Sequence, residues 1–100
     1  MPLYRIRVRS QTYLWGGSNI NKDLTGDITP VFLTIRNDDF GDAVSLTIER
    51  HVLTGEIKQD KIGILEGGQA YTLHLSDIRG VYAVQEHGRP IFLTCEIHGR

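Results

Sequence analysis

One hundred residues, 40% of them apolar, make a single domain (1–100) that can bury its own core, and exclude a disordered chain. Eleven Lys and Arg against twelve Asp and Glu leave a formal charge of −1, so bulk charge argues for neither a nucleic-acid coat nor an acidic tail. The single cysteine, Cys95, excludes an internal disulfide and fits a reducing compartment.

The opening residues, MPLYRIRVRS, alternate charged and apolar groups and hold no apolar signal-peptide core. No apolar run is long enough to span a bilayer. The expectation is a cytoplasmic protein without membrane insertion. Tyr4, Ile6 and Val8 alternate with Arg5, Arg7 and Arg9, which predicts a first strand, extended by Tyr13, Leu14 and Trp15. Gly16-Gly17 breaks it, and the Gly-, Asn- and Asp-rich stretch that follows reads as a long loop to residue 29.

Pro30 opens a second strand, VFLTIRN, where its missing N–H does least harm. The polar turn DDFGD leads into a third strand, 43–53, with Val44, Leu46 and Ile48 on one face. A weaker strand covers 56–65, with Ile57, Ile62 and Ile64. Tyr71, Leu73 and Leu75 mark a fifth strand over 69–76, residues 81–86 a sixth, and Pro90 to His98 a seventh. No segment shows the 3.6 period of a helix. Seven short strands with turns every eight to twelve residues predict an all-β, antiparallel sandwich of immunoglobulin-like type, with a small closed barrel as the alternative. In such a sandwich the 37–42, 66–68 and 87–89 turns share one end. The 16–29 loop, the 54–55 and 77–80 turns and the C-terminus share the other.

Four constellations could carry chemistry. Arg5, Arg7 and Arg9 project from one strand face about 7 Å apart per step, near the spacing of successive phosphates. They read either as a phosphate or nucleic-acid contact or as charges that keep an edge strand from pairing. Cys95-Glu96-Ile97-His98 resembles the ligand loop of cupredoxins, which makes Cys95 and His98, with His51 or His74, metal candidates. No methionine follows His98, and strand phase puts Cys95 inside and His98 outside. Asn21, Asp23, Asp27 and Asp77 are loop candidates for oxygen ligation, although the EF-hand pattern fails. Asn37, Asp38, Asp39 and Asp42, with Glu66 and His87-Gly88-Arg89, fall at one end, where carboxylates and a histidine could do acid–base work or form a solvated turn. There is no nucleophile elbow, P-loop or dinucleotide fingerprint. An enzyme and a bound cofactor are therefore not expected.

The run VFLTIRNDDFGDA, then VSLTIER, AYTLHLSDI and VYAVQEHGRPIFLTCEI resembles the sensory rhodopsin transducer family over residues 28–98, with Asp77 after the fifth strand and Pro90-Ile91 opening the last. The resemblance implies a bacterial β-sandwich that forms homo-oligomers and couples a membrane photoreceptor to downstream targets, DNA among them. It carries over no binding residue.

The reading is a non-enzymatic protein- or ligand-binding module, a homo-oligomer with a signalling role. Its small, mildly polar outward rows, Thr34, Ser45, Thr47, Thr72 and Thr94, suit protein contact. The alternatives are a nucleic-acid binder using Arg5, Arg7 and Arg9 and a metal protein using Cys95 and His98.

Overall fold

The computed structural model describes residues 3–16, 30–39, 42–51, 55–75 and 78–99. Its strands are β1 (Leu3–Val8), β2 (Gln11–Gly16), β3 (Pro30–Asn37), β4 (Val44–His51), β5 (Ile57–Leu65), β6 (Ala70–His74), β7 (Ile78–Val84) and β8 (Ile91–Gly99). They form two open four-stranded antiparallel sheets, β1-β8-β3-β6 and β2-β7-β4-β5. The all-β sandwich expected from period-two patterning is present, with eight strands in place of seven. The sheets are not closed into a barrel. Among the described residues no helix is long and apolar enough to cross a membrane.

The strand order has a simple logic. β1 pairs with β8, β2 with β7, β3 with β6 and β4 with β5, as in one long hairpin with its tip between β4 and β5. The pairings β3 with β8 and β4 with β7 then roll that hairpin over itself. This is the jelly-roll arrangement. It differs from the ABED and CFG order of immunoglobulin domains, which share the two-layer architecture.

The additional strand arises where the first predicted strand divides. β1 joins one sheet and β2 the other, and the chain crosses at Arg9-Ser10. Gln85 holds this corner. Its amide nitrogen donates to the carbonyls of Val8 (3.4 Å), Arg9 and Arg89 (2.8 Å), its amide oxygen accepts from His87 N–H, and its own N–H reaches the Ser10 carbonyl at 2.9 Å. The side chain is buried, so these bonds are made away from water. Tyr4 adds a second tie between the layers, donating from its hydroxyl to the Leu14 carbonyl at 2.6 Å.

Alternation places the core. Leu33, Ile35, Leu46, Ile48, Leu73 and Leu93 meet between the sheets, none more than 7% exposed. Each such side chain contributes about 1.5–3 kcal/mol by leaving water. Among the described residues the ladders slip in register at four places, and two of these bear on which side chains face the core. A slip between Tyr13 and Trp15 in β2 lets Leu14 point fully inward. In β5 the register slips opposite Leu46 and Thr47, where Gly63 has φ 149°. Beyond that bulge Leu65 is the buried residue, and Ile64, expected on the apolar face, stands 66% exposed. Gly16 also answers to geometry: it has φ 71°, and a Cβ there would lie 2.3 Å from the Arg79 carbonyl oxygen.

Candidate functional site

The end of the sandwich where β3 leaves its sheet is organised around Asn37. Its side chain is fully buried, and it needs both a donor and an acceptor there. The amide nitrogen donates to the carbonyls of Asp42 (2.9 Å) and Leu65 (3.1 Å), while the amide oxygen accepts from Asp39 N–H at 2.9 Å. Its backbone exchanges bonds with Gln69 and Gly68. Asp39 Oδ1 then accepts from the Asp42 N–H at 3.2 Å. One asparagine thus joins the 37–42 and 65–69 turns, as the loop grouping anticipated.

The 87–89 turn joins the same end through charge. Arg89 lies 3.1 Å from Asp39 and 2.5 Å from Asp42, and these carboxylates hold its guanidinium more firmly protonated than usual. His87 Nδ1 is 3.6 Å from Asp42. Its Nε2 is 3.1 Å from the Ala43 carbonyl, an acceptor only, which assigns a proton to Nε2. Asp39 and Asp42, two of the carboxylates expected to be candidates for acid–base work, are thereby engaged as ion-pair and turn partners.

Asp38 faces the other way, toward the outer surface of the β1-β8-β3-β6 sheet. Burial pushes its carboxyl up, but the Thr94 hydroxyl and Arg36 (3.0 Å), with Arg5 (3.5 Å), outweigh that and hold it below the usual carboxylate range. Arg5 also lies over the Phe92 ring, 4.4 Å from its centroid. The arginine row of β1 therefore does not act as three equal members. Arg5 is engaged by its own sheet, whereas Arg7 and Arg9 form no ion pair among the described residues. These two, with Arg89, Ser10, Gly88 and Pro90, line a shallow recess of about 310 Å³.

Arg89 was not part of the arginine group read from sequence. The reason is the divided first strand: read as continuous, it does not bring residues 9 and 10 to the end that carries the 87–89 turn. The Gln85 corner makes that juxtaposition.

Cys95 and His98 occupy opposite faces of β8 and do not converge on one ion. Cys95 is fully buried beside the Tyr4 hydroxyl, and burial pushes its thiol up to about 12. Burial is likewise the main cause that raises Tyr4, with Cys95 second. His98 is on the outer face, with Nε2 3.1 Å from Thr34 Oγ1 and Nδ1 3.7 Å from Glu96. His74 stands edge-on to Phe32 with ring centroids 4.9 Å apart. Among the described residues no three His, Cys, Asp or Glu gather as a metal site. Asn21, Asp23, Asp27 and Asp77 lie outside the described residues.

On the outer face of the other sheet, Glu49 is buried over Gly80 of β7, with which it is paired in register. It accepts from the Tyr13 hydroxyl at 2.7 Å, which raises the tyrosine, and from Gln59 at 3.4 Å. Tyr13 in turn meets Tyr82 edge-on at 5.4 Å. This is a satisfied polar network that binds β2 to β4 across β7.

No protein-family model matches the chain, and no curated protein matches it in sequence. Among solved structures it is similar to a crystal structure of PirA, with a TM-score of 0.66 and 13% identity over 98% of this chain and 94% of that one. At that identity the likeness bears on the fold alone.

Proposed function

We propose that this chain is a non-enzymatic binding module that receives a compact anion at the Arg7–Arg9–Arg89 recess and works as a small homo-oligomer. One observation carries the reading: Arg7 and Arg9, without ion-pair partners among the described residues, share a concave surface with Arg89. Guanidinium groups in a fork geometry match phosphate, sulfate and carboxylate oxygens, and each charge-assisted bond is roughly twice as strong as a neutral one. Asp39 and Asp42 fix Arg89 and offset its charge, so Arg89 shapes the recess while Arg7 and Arg9 supply its positive charge. A cytoplasmic location belongs to the same proposal, in keeping with the free thiol of Cys95. So does a signalling role, which rests on the resemblance to sensory rhodopsin transducers.

A track along a nucleic-acid backbone calls for Arg5 in line with Arg7 and Arg9, and the engagement of Arg5 by Asp38 and Phe92 favours a compact anion instead. The test is titration of isotope-labelled protein with inorganic phosphate at low salt, followed by amide shifts. Changes centred on Arg7, Arg9, Ser10 and Gly88 are expected, and the double variant Arg7→Ala/Arg9→Ala should weaken binding by about tenfold or more. No shift at saturating phosphate would discard the anion site. A single-stranded oligonucleotide that binds with a steep salt slope, while phosphate does not, would move the assignment to the nucleic-acid alternative.

A further inference from the structure

We infer that β6 is an interface strand, and that its occupant is the β6 of a second copy of this chain, paired antiparallel about a two-fold axis at Thr72. The inference specifies the contact in the homo-oligomer proposed above and rests on that part of the reading only, not on the anion site.

The argument begins with the free edges. The strand order leaves β1 and β6 at the margins of one sheet and β2 and β5 at the margins of the other. Exposed edges invite pairing unless something blunts them. β1 presents exposed Arg5 and Arg7. The ladder of β2 slips between Tyr13 and Trp15. β5 carries Lys58, Asp60 and Lys61 and the bulge at Gly63. β6, with sequence AYTLH, has no Lys, Arg, Asp, Glu or Pro, and keeps an unbroken register with β3 from Phe32↔His74 to Arg36↔Ala70. Shortness is its one remaining protection.

The side chains beside this edge are unfinished in the same sense. Tyr71 shares the inward phase of Leu73, yet it is 42% exposed while Leu73 is buried. Below it a cleft of about 390 Å³ opens between β6 and the facing sheet, lined by Ile48, Ile62, Tyr71 and Leu73 and by the charged Arg50, Asp60 and Lys61.

Symmetry selects a second copy. A two-fold at Thr72 sets Ala70 of one copy opposite His74 of the other, Tyr71 opposite Leu73, and Thr72 opposite Thr72. These are an aromatic–aliphatic pair repeated on both sides of the axis and a central threonine pair, both favourable across strands. Thr72 Oγ1 is already 2.9 Å from Thr34 Oγ1, so the row of hydroxyls continues across the axis. Self-pairing at β1 sets arginines against arginines, which is repulsive. The product is an isologous dimer with one continuous sheet, β1-β8-β3-β6 running into β6-β3-β8-β1.

Sedimentation velocity over a range of concentrations, on the full chain, tests the proposal. The wild type should be a dimer that dissociates on dilution. Thr72→Lys, which sets two ammonium groups across the axis, should weaken association by about tenfold or more while leaving the far-UV spectrum unchanged, whereas Thr72→Val should keep the dimer. Hydrogen exchange on the wild type adds a measurement that needs no variant: β6 amides should slow as concentration rises. A wild type that stays monomeric overturns both the oligomer reading and this interface. An oligomer that survives Thr72→Lys, or β6 amides whose exchange ignores concentration, overturns the β6 assignment and leaves the oligomer reading standing. Phosphate binding is scored separately in either case.

Discussion

At the scale of single residues, the polar groups of this molecule are placed by what they must satisfy. Asn37 can serve three backbone groups at once because its amide offers donors and an acceptor in one plane; an aspartate there could not donate to the Asp42 and Leu65 carbonyls. Asp38 is the residue with the clearest pH consequence. Its folded carboxyl titrates below the unfolded value, so its contribution is complete above about pH 4, where the unfolded carboxylate is ionised, and is lost as pH falls through the folded value. Its arginine partners are about 60% exposed, and solvent screening keeps each ion pair small. The half-buried hydrogen bond from Thr94 carries more of the effect. Urea unfolding of Asp38→Asn should show a loss of about 1 kcal/mol near neutral pH that shrinks to nothing in acid. An equal loss at every pH would show that the carboxylate charge plays no part.

At the scale of elements, the decisive feature is the corner at Arg9-Ser10 and its lock, Gln85. Without that crossing, β1 and β2 form one strand in one sheet, and neither the second β-ladder of the roll nor the arginine recess exists. Replacing Gln85 by Ala leaves the carbonyls of Val8 and Arg89 without their donor in a buried setting, a cost of about 1–3 kcal/mol. The expected signature is local as well as global. Amides of β1 and β2 should exchange faster than those of β4, whose partners on both sides are unaffected. Uniform acceleration along all strands would show that the corner has no separate role. Patterning described β3, β4, β6 and β8 well because their sequences alternate, whereas β7, with Gly80 to Ala83 all buried, shows no such period. Patterning failed at the bulges of β2 and β5, where one extra residue moves the later side chains to the other face, and at the corner, where the chain changes sheet.

At the scale of the whole molecule, the core and its thiol form one cooperative unit. Cys95 sits among Leu33, Ile35, Leu93 and Ile97 with no exposure, and its raised titration leaves almost no thiolate at neutral pH. Its modification by a small disulfide reagent should therefore follow global unfolding and accelerate with denaturant as the unfolded fraction grows. Rapid labelling in native buffer would contradict the closed interior. The amino-acid order alone determined the all-β class, the two-layer plan, the inward set of apolar residues and the shared end of the 37–42, 66–68 and 87–89 turns, because all of these follow from a period of two and from turn chemistry, which are local. Tertiary structure decided the rolled pairing of β1 with β8 and β2 with β7, the division of the first strand, the departure of Arg5 from the arginine row and the arrival of Arg89 beside Arg7 and Arg9. Those depend on which strand edges meet across more than sixty residues of chain, and the hydrogen-bonding groups that make such edges are the same in every residue, so side-chain identity cannot name the partner.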